Sequence, residues 1–440
     1  MKSRMDMNKD ALLSGKNTTF HRMTRRDALR VITATAGTLV AGSVLDACGS
    51  TAASSSSGGP VTLQFWDTFT TAEINLLHTM GAEYTKLNPN VKINFYEIPY
   101  AQRPTKIPSA VQTNSLPDII RADYPYQWYL STQNKLAFLE NDLKGWDMRT
   151  AIYDTVWEQT SYQGHIIGVP QDKFTDVFCY NQDKFDRDGI KQFPTTWAEL
   201  IEACQKMTHG DEYGLAFYPD TGQLFTDFLL EGGGKLVDTN MNPTFNQDPG
   251  VASLQMLVDL VKKYKVTPPG VTGWQYANSD DALRSGKIGM AEFGSWIIGN
   301  YQEAKVPWKL GIGAMPKGPA GNGLISATTM YMVMNTSPHQ PEAIAFLKWL
   351  VSRQNALRWA KTLNHEPIDK YTAADPYFAT PLFKPFQTSL PYASAMPATP
   401  AYNAVNQAIT QAIQQAILGQ KTPKAALNDA ATTAKSALQG

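Results

Sequence analysis

Val61-Thr62-Leu63-Gln64-Phe65-Trp66-Asp67 is the stretch on which the fold turns. Its apolar residues fall on alternate positions, the period of a half-buried strand, and it ends in an indole and a carboxylate. Residues 71–87 then change period, with Ile74, Leu77, Tyr84 and Leu87 on one face of a helix. Val91, Ile93 and Phe95 return to alternation. Leu116-Pro117-Asp118-Ile119-Ile120 is a short, continuous apolar run of the kind buried on both faces of a parallel sheet. Strand, helix and strand at this spacing predict an α/β fold.

The pattern continues toward the C-terminus. Thr196-Trp197-Ala198-Glu199 is a capping box opening a helix whose inward face is Trp197, Leu200, Ile201 and Cys204. Asp248-Pro249 places an N-cap before a proline at the first helical position, followed by the stripe Leu254, Leu257, Val258 and Val261. A further helix is expected over 337–351 with Ile344, Leu347 and Leu350 inward, and two Ala-rich helices over 402–418 and 422–438. A chain of 440 residues exceeds one ordinary core, so two lobes are expected. Basic and acidic residues balance at 39 each without a block of one sign, which argues against nucleic acid as a partner. Cys48, Cys179 and Cys204 form neither a disulfide framework nor a zinc-site spacing.

The first 60 residues are an address, not part of the fold. Arg25 and Arg26 precede an uncharged stretch, 31–45, too short and too mildly apolar to span a bilayer. The pair resembles a twin-arginine export signal. Ala28 stands where that motif prefers a bulky apolar residue, so the general secretory route stays open. Leu45-Asp46-Ala47-Cys48-Gly49 resembles the lipobox of bacterial lipoproteins, which implies that residues 1–48 are a signal peptide with lipobox and that Cys48 carries lipid. Residues 49–60, mostly Ser, Ala, Thr and Gly, then read as a flexible tether. Acyl chains at about 0.8 kcal/mol per buried CH₂ anchor a protein without any spanning helix. The expected location is the outer face of the cytoplasmic membrane.

Motifs of catalysis are missing. His365-Glu366 lacks the second histidine of a zinc protease helix, no serine lies in G-x-S-x-G, and Gly232-Gly233-Gly234 lacks the Lys-Ser/Thr of a phosphate loop and reads as a turn. Paired carboxylates for glycoside hydrolysis leave no sequence signature, so an exported carbohydrate-active hydrolase remains the rival to a binding protein. A sensor or adhesin on the same scaffold is a third reading. No enzyme activity, cofactor or metal is expected.

Four segments, read in order, resemble the bacterial extracellular sugar-binding proteins of ABC importers, the maltose-binding-protein type. Leu116-Pro117-Asp118-Ile119-Ile120 precedes Leu136-Ala137-Phe138-Leu139-Glu140. Tyr162-Gln163-Gly164-His165-Ile166-Ile167-Gly168-Val169-Pro170 leads through Tyr180-Asn181-Gln182-Asp183-Lys184-Phe185 to Pro194-Thr195-Thr196-Trp197-Ala198-Glu199-Leu200. Ile167 replaces the family's usual aromatic, and Gln182 its lysine. Leu283-Arg284-Ser285-Gly286-Lys287 through Gly294-Ser295-Trp296 is the third, and Ala314-Met315-Pro316-Lys317-Gly318-Pro319 the fourth. The resemblance implies a two-lobed periplasmic-binding-protein-like fold with hinge strands and a ligand cleft between the lobes. Lobe 1 would be 61–172 plus 318–365, and lobe 2 173–317 plus 366–440. It further implies a monomer that captures a carbohydrate, an oligosaccharide by its aromatic content, and delivers it to ABC permease subunits.

A sugar site needs carboxylates or amides for hydroxyls and aromatic rings for C–H faces. Trp66 and Asp67 end the first strand, where α/β ligands bind, and Asp123 and Tyr126 follow another strand. Trp296 matches the family's cleft tryptophan, with Glu292 and Phe293 beside it. Tyr402 aligns with a second stacking aromatic, and Thr221-Gly222-Gln223 occupies a loop that touches ligand in the family. Trp274, in a Gly-flanked aromatic run, completes the candidates.

Overall fold

The computed structural model describes residues 59–68, 70–122 and 126–439. Arg25, Arg26, Cys48 and Asp123 lie outside the described residues, as do the expected signal peptide and all but the last two residues of the tether. From Gly58 onward the chain is one compact unit. No helix among the described residues is long and apolar enough to cross a membrane.

Strand β1 (Val61–Asp67) pairs in parallel with β2 (Val91–Glu97) and β3 (Ile119–Ala122). Leu63 and Phe65 are fully buried, as the alternation requires. The crossover helix Thr71–Leu87 starts at a capping box, Thr70 with Glu73, and buries Ile74, Leu77 and Tyr84. Leu87 departs from the expected stripe: as the helix's final residue it is 66% exposed. A small hairpin, β4 (Ser161–Tyr162) with β5 (His165–Ile166), turns through Gln163 and Gly164, both at positive φ.

The chain then changes sheets. β6 (Val169–Thr175) continues through Asp176 into β7 (Val177–Asn181). β7 belongs to a second sheet of order β10-β7-β9-β8, with β8 (Tyr213–Ala216), β9 (Ile288–Phe293) and β10 (Leu310–Gly313). β11 (Leu324–Val333) returns antiparallel to β6 and to β3, closing the first sheet in the order β12-β11-β3-β1-β2 with β12 (Ala393–Ser394) at its edge. The paired β6 and β11 therefore form a ribbon linking two lobes. Along it Asp172 pairs with Thr329 and Thr175 with Ser326, so successive side chains face opposite sides.

Each lobe has its own core. Leu63, Phe65, Met80, Tyr331 and Phe346 belong to the first, and Phe228, Leu254, Leu257, Ile409 and Ile413 to the second. Residues just before the ribbon pack with the second: Gly318 lies against Glu231, Gly323 against Leu230, and Leu324 and Ile325 enter that core. Helices matched their caps closely. Thr196 accepts from Glu199 N, but the Glu199 carboxylate turns back to Thr195, leaving half a box. The helix Asp248–Lys262 starts one residue early, with Gln247 as N-cap. Cys179 and Cys204 are buried free thiols, their pKa values pushed up by burial.

The lobes also meet directly. Gly299, in helix Trp296–Ala304 of the second lobe, lies against helix Arg353–Leu363, where a Cβ would stand 2.8 Å from the Leu363 carbonyl oxygen.

Candidate functional site

Between the lobes, on the Asp172 side of the ribbon, lies an inner chamber of about 220 Å³. Thr68, Thr70 and Glu73, at the junction of β1 and its crossover helix, come from one lobe. Tyr218, Gln223, Tyr276 and Trp296 come from the other, while Asp172, Phe174, Thr329 and His365 supply the ribbon side. An outer groove of about 490 Å³ adjoins it, lined by Arg103, Tyr126, Asp220, Tyr402 and Asn406 among others. Tyr100, Thr221, Gln223 and Tyr276 line both spaces, so the two form one path.

Aromatic rings make the walls. Trp296 stands edge-on to Phe174, centroids 5.3 Å apart, and its indole Nε1 donates to Tyr276 Oη at 2.9 Å. Tyr276 is itself perpendicular to Tyr218 at 5.6 Å. Rings wedged this way keep fixed faces toward the chamber. In the outer groove the Arg103 guanidinium lies 3.6 Å over Tyr100 and 5.1 Å from Tyr126.

The polar floor is an ion network. Arg121, on β3, places Nη2 2.8 Å from Glu73 Oε1 and 3.3 Å from Asp172 Oδ2. Asp172 also accepts from Trp359 Nε1 at 3.1 Å, from Thr329 Oγ1, and from His365 Nδ1 at 2.8 Å. Burial alone would raise the Asp172 carboxyl, but His365 and Arg121 outweigh it and hold it below the usual range. Glu73, Asp172 and His365 have the donor set of a metal site, yet the guanidinium already supplies the positive charge among them.

A second trio differs. Asp176, Asp227 and Glu292 bring carboxylate oxygens within 4.8 Å of one another, all buried. Burial pushes Asp176 up to about 7, and drives Asp227 and Glu292 well above the usual carboxylate range, with mutual repulsion adding. Pushed up in this way, the three carboxyls favour their protonated forms. Gln223 Nε2 donates to both Asp176 oxygens, at 3.2 and 3.3 Å, which ties the trio to the chamber wall. Gly222, at φ +63°, starts the helix Gln223–Glu231 that carries this amide, and a Cβ there would meet Asn406.

The structure brings four of the expected residues to this path: Trp296 and Gln223 at the chamber, Tyr126 and Tyr402 at the groove. The other described candidates lie elsewhere, and Asp123 is outside the described residues. Trp66 lines a separate surface hollow with Gln102 and Lys106, and Asp67 is buried against His78 at 3.0 Å. Glu292 belongs to the protonated trio, Phe293 is core that backs Tyr218 and Tyr276, and Trp274 packs half-buried on the second lobe's cores. Sequence reading missed Glu73, Tyr100, Asp172, Tyr218, Tyr276 and His365. Glu73 was visible only as half of a cap, and Tyr276 sits two residues beyond Trp274.

Comparison with known proteins adds the family. The sequence profile described as "Bacterial extracellular solute-binding protein" matches residues 71–357. A galactooligosaccharide-binding protein of Bacillus subtilis is 24% identical over 359 residues, 79% of this chain and 83% of that one. Among solved structures, an ABC transporter solute-binding protein of Thermotoga lettingae bound with alpha-D-tagatose superposes with a TM-score of 0.80 at 22% identity, covering 86% of this chain and 99% of that one. The GacH receptor of Streptomyces glaucescens, solved unliganded and with acarbose, gives 0.78 at 24% identity, covering 86% and 98%.

Proposed function

Because the chain belongs to the bacterial extracellular solute-binding protein family, we propose that it captures a carbohydrate outside the cell and delivers it to the permease of an ABC importer. The observation that carries this reading is the inner chamber itself, where the Trp296, Phe174 and Tyr276 rings stand beside the hydrogen-bonding groups of Glu73, Gln223 and His365. Rings take the C–H faces of a pyranose and the polar groups take its hydroxyls. The continuity of chamber and groove favours an oligosaccharide, with one unit inside and the next against Tyr126 and Tyr402. The sugars named for the structurally similar proteins support the same class.

The lobe division follows the core packing. Core packing supports a first crossing near Asp176 and a second within β11, beyond Ile325. The third lies between Ile368, in the first core, and Phe378, packed with the second lobe. Export through the Arg25-Arg26 signal, lipidation at Cys48, a 49–60 tether and a monomeric state complete the reading.

A thermal-shift screen against mono-, di- and oligosaccharides tests it. Ligand at a hundred times its Kd adds about 2.7 kcal/mol, a clear rise in Tm. A rise without product release supports a binder, and steady product formation supports a hydrolase. A folded sample that responds to no carbohydrate removes sugar from the reading. Trp296→Ala should weaken binding by ~2 kcal/mol, about thirtyfold, with the fold intact. Unchanged affinity in calorimetry would remove Trp296 from the site.

A further inference from the structure

His365 closes the chamber floor and offers a ring nitrogen that makes no hydrogen bond among the described residues. Its Nδ1 lies 2.8 Å from Asp172 Oδ2, an oxygen that also accepts from Arg121 and Trp359. A carboxylate held in this way is an acceptor, so the Nδ1 position carries a proton. Nε2 stands 3.7 Å from Glu73 Oε1, too far for a hydrogen bond, and makes none among the described residues. The residue is 4% exposed, yet it lines the chamber.

We propose that His365 is a specificity-determining residue: as an imidazolium it donates Nε2–H to a hydroxyl oxygen of a neutral sugar unit, whose neighbouring hydroxyl donates to Glu73, and affinity falls when the ring loses its proton. This deepens the carbohydrate reading above and rests on it.

The surroundings support the charged ring. Glu73 faces it from the crossover helix, Arg121 from β3, Asp172 from β6 and Trp359 from helix Arg353–Leu363, with Glu366 next in the chain and paired to Lys173 at 3.9 Å. Burial opposes the charge and so does Arg121, but Asp172 and Glu73 outweigh them, and the ring's pKa is raised from 6.5. Protonated, the floor of Glu73, Asp172, Arg121 and His365 is electrically neutral, which suits an uncharged ligand. Deprotonated, it carries a net negative charge and presents two acceptors, Nε2 and Glu73, where a sugar needs one donor and one acceptor.

Calorimetry on the full chain with D-tagatose, D-glucose, maltose, maltotriose and mannobiose at several pH values from 6 to 9 tests this. A sugar bound at pH 6 should lose roughly tenfold in affinity per pH unit above the ring's pKa. Asp176 and Glu366 also titrate, at about 7, so variants separate the sources. His365→Gln should flatten the profile, while Asp176→Asn and Glu366→Gln should keep it. A sugar bound equally at all pH values overturns the role of His365 and leaves the carbohydrate reading standing. A slope that survives His365→Gln overturns it too. Should that variant not fold, the ring's ¹⁵N titration in the unaltered protein decides: sugar must raise its midpoint, and an unmoved midpoint overturns the proposal. No binding of any of these sugars by folded protein at any pH counts against the carbohydrate reading and the inference together.

Discussion

Asp172 and Asp176 lie four residues apart on one stretch of chain, both buried, and the protein shifts their carboxyls in opposite directions. Asp172 meets Arg121, His365, Trp359 and Thr329, and stays ionised. Asp176 meets Asp227, Glu292 and the amide of Gln223, and is pushed up to about 7. Burial raises both acids; at Asp172 the cationic partners His365 and Arg121 outweigh it, and at Asp176 no cation does. The first cluster makes a fixed ionic floor for the chamber. The second gathers three acids at the crossing whose pKa values are all raised.

The largest expected effect comes from breaking the first cluster. Arg121→Leu leaves Glu73 and Asp172 buried without their cation, and should cost ~3–5 kcal/mol in urea unfolding. Adding Asp172→Asn should recover part of that loss. A cost under ~1 kcal/mol would mean that Arg121 is not what holds these carboxylates.

Asp176→Asn breaks the other side of the contrast. Folding raises this acid's pKa from 3.8 to about 7, so its contribution to stability is full below the unfolded value and is lost as pH rises through about 7. The unaltered protein should therefore lose ~2–3 kcal/mol, several degrees in Tm, between pH 5 and 8 relative to the variant. Parallel profiles would show that Asp176 does not titrate in that window.

Gln223→Leu, the mildest change, sharpens the comparison because this side chain touches both the trio and the chamber. Loss of its donor should raise the Asp176 pKa further and weaken sugar binding by ~1 kcal/mol, about fivefold by calorimetry. An unchanged affinity would uncouple the trio from the chamber.

Local signals in the chain carried a long way. The alternation of Val61 to Phe65, the helix over 71–87 and the apolar stripe after Asp248 correspond to real elements, the last off by a residue at the N-cap. Site prediction fared unevenly, and the reason is geometric. Trp66 and Asp67 end the right strand, but adjacent strand side chains point to opposite faces, and neither lines the chamber. The chamber is reached instead from the next turn, through Thr68, Thr70 and Glu73.

The sequence by itself determined the α/β class, the two-lobe expectation, the positions of the helices and the family resemblance, because periodicity and caps act over a few residues and survive being read one segment at a time. Only the tertiary structure decided which carboxylates are paired with a cation and which share protons. Glu73, Arg121, Asp172 and His365 come from four separate segments, as do Asp176, Asp227 and Glu292 from three. Charge state depends on distances of a few ångströms between such segments, and no local pattern records them.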